Sequence, residues 1–225
     1  MMTNLFSIFD PSTSMMNLKM NWLMAMVGLM LMPSYFWLMN NRFKTFWNKP
    51  MTILNKEFNM LLNLKKNKGT TTMLIPIFMM IMLNNLLGLF PHLFTSTSHL
   101  TMTFSMALPI WVAIMMFGWT KNTQNMFTHL VPTGTPTALM PFMVCIETIS
   151  NMIRPLTLAV RLAANMIAGH LIMTLLGNTT LMVSTNMLPM MLLIQMMLLI
   201  LEMAVAIIQG YVFAVLTTLY TSEVN

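Results

Sequence analysis

Residues 138–176 read ALMPFMVCIETISNMIRPLTLAVRLAANMIAGHLIMTLL, and after a short polar break residues 187–220 read MLPMMLLIQMMLLILEMAVAIIQGYVFAVLTTLY. Both stretches are apolar enough for lipid and too long for it. As continuous helices rising 1.5 Å per residue they span about 50 to 60 Å, against a hydrocarbon core of about 30 Å. Two solutions exist. Each stretch is two short spans broken at Pro141, Pro155 or Pro189, or each is one helix lying steeply oblique, well beyond the usual tilt of about 20°. No charged turn divides either stretch, which favours a tilted hairpin turning at Gly177-Asn178-Thr179-Thr180, held oblique by a protein partner along its flank.

The rest of the composition agrees with a membrane solvent. Of 225 residues, 57% are hydrophobic and 7% charged, and the mean hydropathy is +0.73, where soluble domains carry about 25% charged residues. The net charge of +6 does not indicate nucleic acid, because the basic residues flank apolar segments and lack aromatic interleaving; a membrane surface is the partner that fits. Methionine takes 33 positions, replacing Leu and Ile throughout without clustering beside polar ligands, so it fits an AT-rich organelle genome that reads an Ile codon as Met better than a soft-metal site. Cys145 is the single cysteine and leaves the redox compartment open. No secretory signal is legible.

Working outward from the long stretches, three further spans are expected: about Trp22 to Met39, with Trp22 and Trp37 as interface anchors; about Thr72 to Phe90, carrying Asn84-Asn85; and about Met102 to Trp119. Between the first two lies the one basic block, Arg42, Lys44, Lys49, Lys56, Lys65, Lys66 and Lys68. After Pro50, residues Met51, Leu54, Phe58, Leu61 and Leu62 share one helical face, opposite Thr52, Asn55, Lys56, Asn59, Asn63 and Lys66, which predicts an amphipathic helix on the membrane surface. The fold class is therefore an all-α polytopic membrane protein: about five membrane-embedded helices plus one amphipathic surface helix, the last two long and steeply tilted as a hairpin. With no repeat and no linker, residues 1–225 form a single integral membrane domain. The basic block marks the side of synthesis, the N-terminus lies opposite, and five crossings return the C-terminus to the basic side.

Four ionisable side chains sit deep in the long stretches: Glu147, Arg154 and Arg161 in the first and Glu202 in the second, with His170 as a titratable fifth. Each charge costs about 2.5 to 3.5 kcal/mol at a helix centre even on the mild insertion scale, so these are the functional candidates. Glu147 and Arg154, seven apart, also fit a plain structural pair. Arg161 has no acid three or four residues away. It shares a stripe with Asn165 and Ala168 among small residues, whereas His170 points to the opposite side of the same helix. Gln195, Glu202 and Gln209, spaced by seven, put one polar stripe on the last helix; interhelical hydrogen bonding is the structural alternative.

A histidine and desolvated carboxylates exchange protons near neutral pH, and a fixed arginine does not. The set describes a proton path with an electrostatic barrier in it. Haem ligation fails on spacing, since His92, His99 and His129 fall in loops and supply no facing pairs. No nucleotide, metalloprotease or nucleophile-elbow motif occurs, and neither a metal nor a cofactor is expected. A secondary transporter or antiporter-like respiratory subunit would show inverted repeats, which are not seen; a purely structural subunit would leave Arg161 dispensable.

The stretch Arg161-Leu162-Ala163-Ala164-Asn165-Met166-Ile167-Ala168-Gly169-His170 closely resembles the signature of subunit a (subunit 6) of the F-type ATP synthase in its mitochondrial form. Glu147-Thr148-Ile149-Ser150, Arg154-Pro155-Leu156, Asn84-Asn85-Leu86-Leu87-Gly88-Leu89 and the run from Glu202 to Tyr211 resemble the same family in the same order. The resemblance implies that Arg161 faces a rotating c-ring and is essential. It implies that Asn165, His170, Glu202 and Gln209 line two aqueous half-channels, and that Glu147 matches an acid of the fifth helix. It also implies that the two long helices lie nearly horizontal against the ring. Bacterial relatives commonly carry a carboxylate at the position of His170 and a histidine at that of Glu202; this chain has the mitochondrial exchange. The implied partners are the c-ring, other Fo stator subunits and membrane lipid, with the proton as transported species. The implied location is the inner mitochondrial membrane, and ATP is made on other chains.

Overall fold

The computed structural model describes residues 6, 9–12, 19–30, 41–62, 69–90, 93–131, 136 and 139–224. Seven α-helices are described: α1 Met24–Met30, α2 Arg42–Leu61, α3 Thr70–Gly88, α4 Leu100–Lys121, α5 Thr123–Leu130, α6 Met140–Thr180 and α7 Leu188–Val224. No strand occurs among the described residues. Four of the helices, α3, α4, α6 and α7, are long and apolar enough to cross a membrane, and the protein is an all-α polytopic membrane protein. Of the first expected span, only the part through Met30 is described; residues 31–40 lie outside the described residues.

Both long stretches are unbroken. α6 carries Pro141 in its first turn, where a missing N–H costs nothing, and runs straight through Pro155. Pro155 forfeits only the bond to the Asn151 carbonyl, and Asn151 lies beside a polar cavity. Pro189 likewise falls in the first turn of α7. At 1.5 Å per residue, the 41 and 37 residues reach about 60 and 55 Å. The expected turn at Gly177–Thr180 is corrected. Those residues close the last turn of α6, because the Thr179 and Thr180 hydroxyls bond back to the carbonyls of Leu176 at 2.9 Å and Gly177 at 2.6 Å, so threonine does not interrupt the helix. The chain reverses over 181–187 instead.

The span α3 runs antiparallel along the C-terminal half of α7. Gly210 permits the approach: a Cβ there would stand 3.5 Å from the Met82 backbone nitrogen, the small-residue packing that membrane helices use. Asn85, fully buried, donates from Nδ2 to the Ala206 carbonyl at 3.4 Å. α4 lies antiparallel to the first half of α6, and one core joins Ile81, Ala107, Leu158, Ala159, Leu162 and Phe213. Buried Thr217, Thr218 and Thr221 satisfy their hydroxyls on carbonyls one turn back.

The amphipathic helix also differs from expectation. α2 begins at Arg42 and passes through Pro50. Its apolar face of Trp47, Met51, Leu54 and Phe58 packs on α3 and α7 around Phe78, Met79 and Ala214. Leu61 is exposed and Leu62 buried; Asn63 to Lys68 lie outside the described residues. After Gly69, at φ +106°, a left-handed residue that glycine supplies at no steric cost, the chain enters α3. α3 therefore starts at the basic block and α4 returns to it, ending on Lys121.

Candidate functional site

The side chains of α6 divide into three sets. Leu156, Val160, Arg161, Ala164, Ala168, Ile172 and Leu175 form an exposed stripe. Arg161 stands in it without an ion pair or hydrogen bond among the described residues. α7 continues this surface with Met196, Ile200, Leu201, Ile207 and Ile208. The apolar residues of this face suit the lipid core, whereas a cation among them, unpaired among the described residues, is costly there, which makes Arg161 the functional candidate on it.

His170, on the other side of α6, opens into a cavity of about 760 Å³ that also holds Gln195 and Glu202 of α7 and is closed by Gly88, Leu89, Phe90 and Phe94 at the end of α3. It lies away from the basic block. His170 Nε2 and Glu202 Oε1 are both buried without a hydrogen-bond partner among the described residues, and such groups are satisfied by water where the site is polar and roomy enough. Gly169 brings the two helices together here: a Cβ on it would lie 3.0 Å from Glu202 Cδ.

At the opposite end a second cavity, of about 610 Å³, lies among α4, α5, α6 and the end of α7. Its polar lining is His129, Glu147, Thr148, Asn151, Arg154, Tyr220 and Glu223. Arg154 pairs with Glu147 at 3.6 Å and makes a second, hydrogen-bonded ion pair with Glu223, with its guanidinium 5.0 Å from the Tyr220 ring centroid. Arg161 falls between the cavities, about 14 Å along α6 from His170 and about 15 Å from Asn151.

The chain of relationships is legible outside the geometry as well. Residues 18–222 match the family described as ATP synthase A chain. The chain belongs to that family. Proteins named ATP synthase subunit a from Aedes aegypti, Locusta migratoria and Drosophila melanogaster are 62%, 61% and 58% identical to it, each over the whole of both chains. Against the family's sequence-derived positions, His170 and Glu202 share one cavity and Glu147 lines the other. Asn165 and Gln209 are half-buried and line neither. Arg154 is the structural pair that seven-residue spacing allowed, with an addition: Glu223 lies beyond the apolar run, 69 residues away, so only the fold reveals it. His99 lies, as expected, outside a helix, in the residue before α4, whereas His129 falls in the last turn of α5 rather than in a loop; His92 lies outside the described residues. Among the described residues no group of three or more metal-ligating side chains occurs.

Proposed function

We propose that the two cavities are the two proton half-channels of the Fo stator and that Arg161 is the barrier between them. The coarser statements stand on the family: the chain is a proton-translocating, non-catalytic subunit of ATP synthase, a multi-pass protein of the inner mitochondrial membrane, in complex with other subunits of that enzyme. In the finer account, protons enter from the side away from the basic block, pass Gln195, His170 and Glu202, and reach a carboxylate of the c-ring docked on the exposed face of α6 and α7. Asn165, one turn from Arg161, and Gln209, two turns from Glu202, are assigned to the stretch between cavity and ring. Protons leave past Glu147, Asn151 and Glu223 to the basic, matrix side. Arg161 favours the ionised ring carboxylate as it passes and repels a proton moving directly between the half-channels. Both long helices lie oblique, flanked by the ring, and residues 1–225 act as one membrane domain.

The observation that carries this reading is the placement of an arginine, unpaired among the described residues, on the exposed face of α6, between two cavities that each hold polar side chains of that helix. The test is sided accessibility. In assembled complex with Cys145→Ala, cysteines at Gln195, Asn151 and Val160 are challenged with a membrane-impermeant thiol reagent from each side. Gln195→Cys reacts from the side away from the basic block, Asn151→Cys from the basic side, and Val160→Cys from neither. Reaction of both cavity positions from a single side would overturn the proposal.

A further inference from the structure

The cavity around His170 has one wall that precedes every span. The Phe9 ring stands edge-on to His170, centroids 6.2 Å apart at 85°, and the Phe9 carbonyl accepts a bond from His99 Nε2 at 2.9 Å, which puts the proton of that imidazole on Nε2. Asn21 Nδ2 donates to the Asp10 carbonyl at 3.3 Å, and the Asp10 carboxylate accepts the Ser12 N–H at 3.0 Å. Asp10, Ser12 and Asn21 therefore form the rim of the same cavity whose interior is His170, Gln195 and Glu202. The Ser12 N–H and, after it, the Ser12 side chain, with a smaller contribution from Lys19, hold the Asp10 carboxyl below the usual carboxylate range, so it is ionised at physiological pH. It is also the only acidic residue of the chain before Glu57.

We propose that Asp10 is the proton-collecting group of the entry cavity, a fixed negative charge that residues 9–12 anchor at its mouth. A carboxylate at the mouth of a low-dielectric cleft concentrates cations, protons included, and its influence is screened by salt. The charged or titratable groups around it among the described residues are Lys19, His99, His170 and Glu202. The inference rests on the half-channel reading above and adds to it a residue of the entry side.

The test uses complexes reconstituted into liposomes, with ATP synthesis driven by an imposed potential while the source-side pH is varied. Asp10→Asn keeps the acceptor for Ser12 and removes only the charge. At low ionic strength it should raise the source-side proton concentration needed for half-maximal rate about two- to fourfold, the local effect of one charge a few ångströms away in water. At about 0.5 M salt the difference should vanish, and Asp10→Glu should retain most of the wild-type behaviour. A loss equal at both salt concentrations, or equal in Asp10→Glu, would mean a structural role and overturn the proposal. His170→Leu separates the two layers. If it lowers the rate while Asp10→Asn changes nothing, the collecting role fails alone; if neither changes anything, the cavity is not the entry path and both fall.

Discussion

Gly169 of α6 faces Glu202 of α7 so closely that a Cβ at position 169 would lie 3.0 Å from the carboxyl carbon and 3.1 Å from Oε1. The obstacle is the far end of a flexible side chain, so Gly169→Ala should fold and assemble with Glu202 swung aside. Proton flux should fall severalfold while the amount of assembled complex stays within about 20% of wild type. Adding Glu202→Asp, one methylene shorter, should restore part of the flux, with non-additivity of at least about 0.5 kcal/mol. Strict additivity would show that the two residues do not meet.

His170 and Glu202 share a cavity, each with a buried atom that has no partner among the described residues. His170→Leu should lower proton flux and flatten its dependence on pH, because it removes a proton-exchanging side chain from the cavity. The exchange His170→Glu with Glu202→His should recover part of what either single change loses. Flux indifferent to both single changes would make them interhelical glue.

Arg154 ties the start of α6 to the end of α7 through Glu147 and Glu223, with side chains about a quarter to a half exposed. Exposure limits each pair to about 0.5 to 1 kcal/mol. Arg154→Met should therefore lower the thermal stability of the complex modestly, and a double-mutant cycle with Glu223→Gln should show coupling near 0.5 kcal/mol. Loss of assembly in Arg154→Met would contradict so small a role.

The four long spans followed from apolar runs because lipid leaves the backbone few alternatives, whereas the short polar helix α5, Thr123–Leu130, did not. The excess length of residues 138–176 and 187–220 showed even without coordinates that these helices are unlike α3 and α4. Helical periodicity separated Arg161 from His170. What the sequence did not reveal were the events that depend on chain reversal and long separation. Gly177-Asn178-Thr179-Thr180 has turn composition, yet its hydroxyls are satisfied inside the helix. Glu223 meets Arg154 only because α7 returns to the start of α6. Phe9 and Asp10 sit in a segment of mixed composition ahead of the first expected span, and nothing local indicates that they reach the cavity of His170.

In the proposed mechanism Arg161 keeps the two cavities from exchanging protons directly. Arg161 is exposed and unpartnered among the described residues, so Arg161→Ala should change the stability of the chain by no more than about 0.5 kcal/mol and leave assembly intact. Arg161→Lys should rescue little, since an ammonium enclosed between this face and the docked ring can give up its proton. The decisive measurement is proton conductance through assembled Arg161→Ala complex in sealed vesicles, recorded alongside ATP synthesis. A passive proton leak with ATP synthesis abolished is expected; wild-type synthesis without a leak would overturn the barrier role of Arg161.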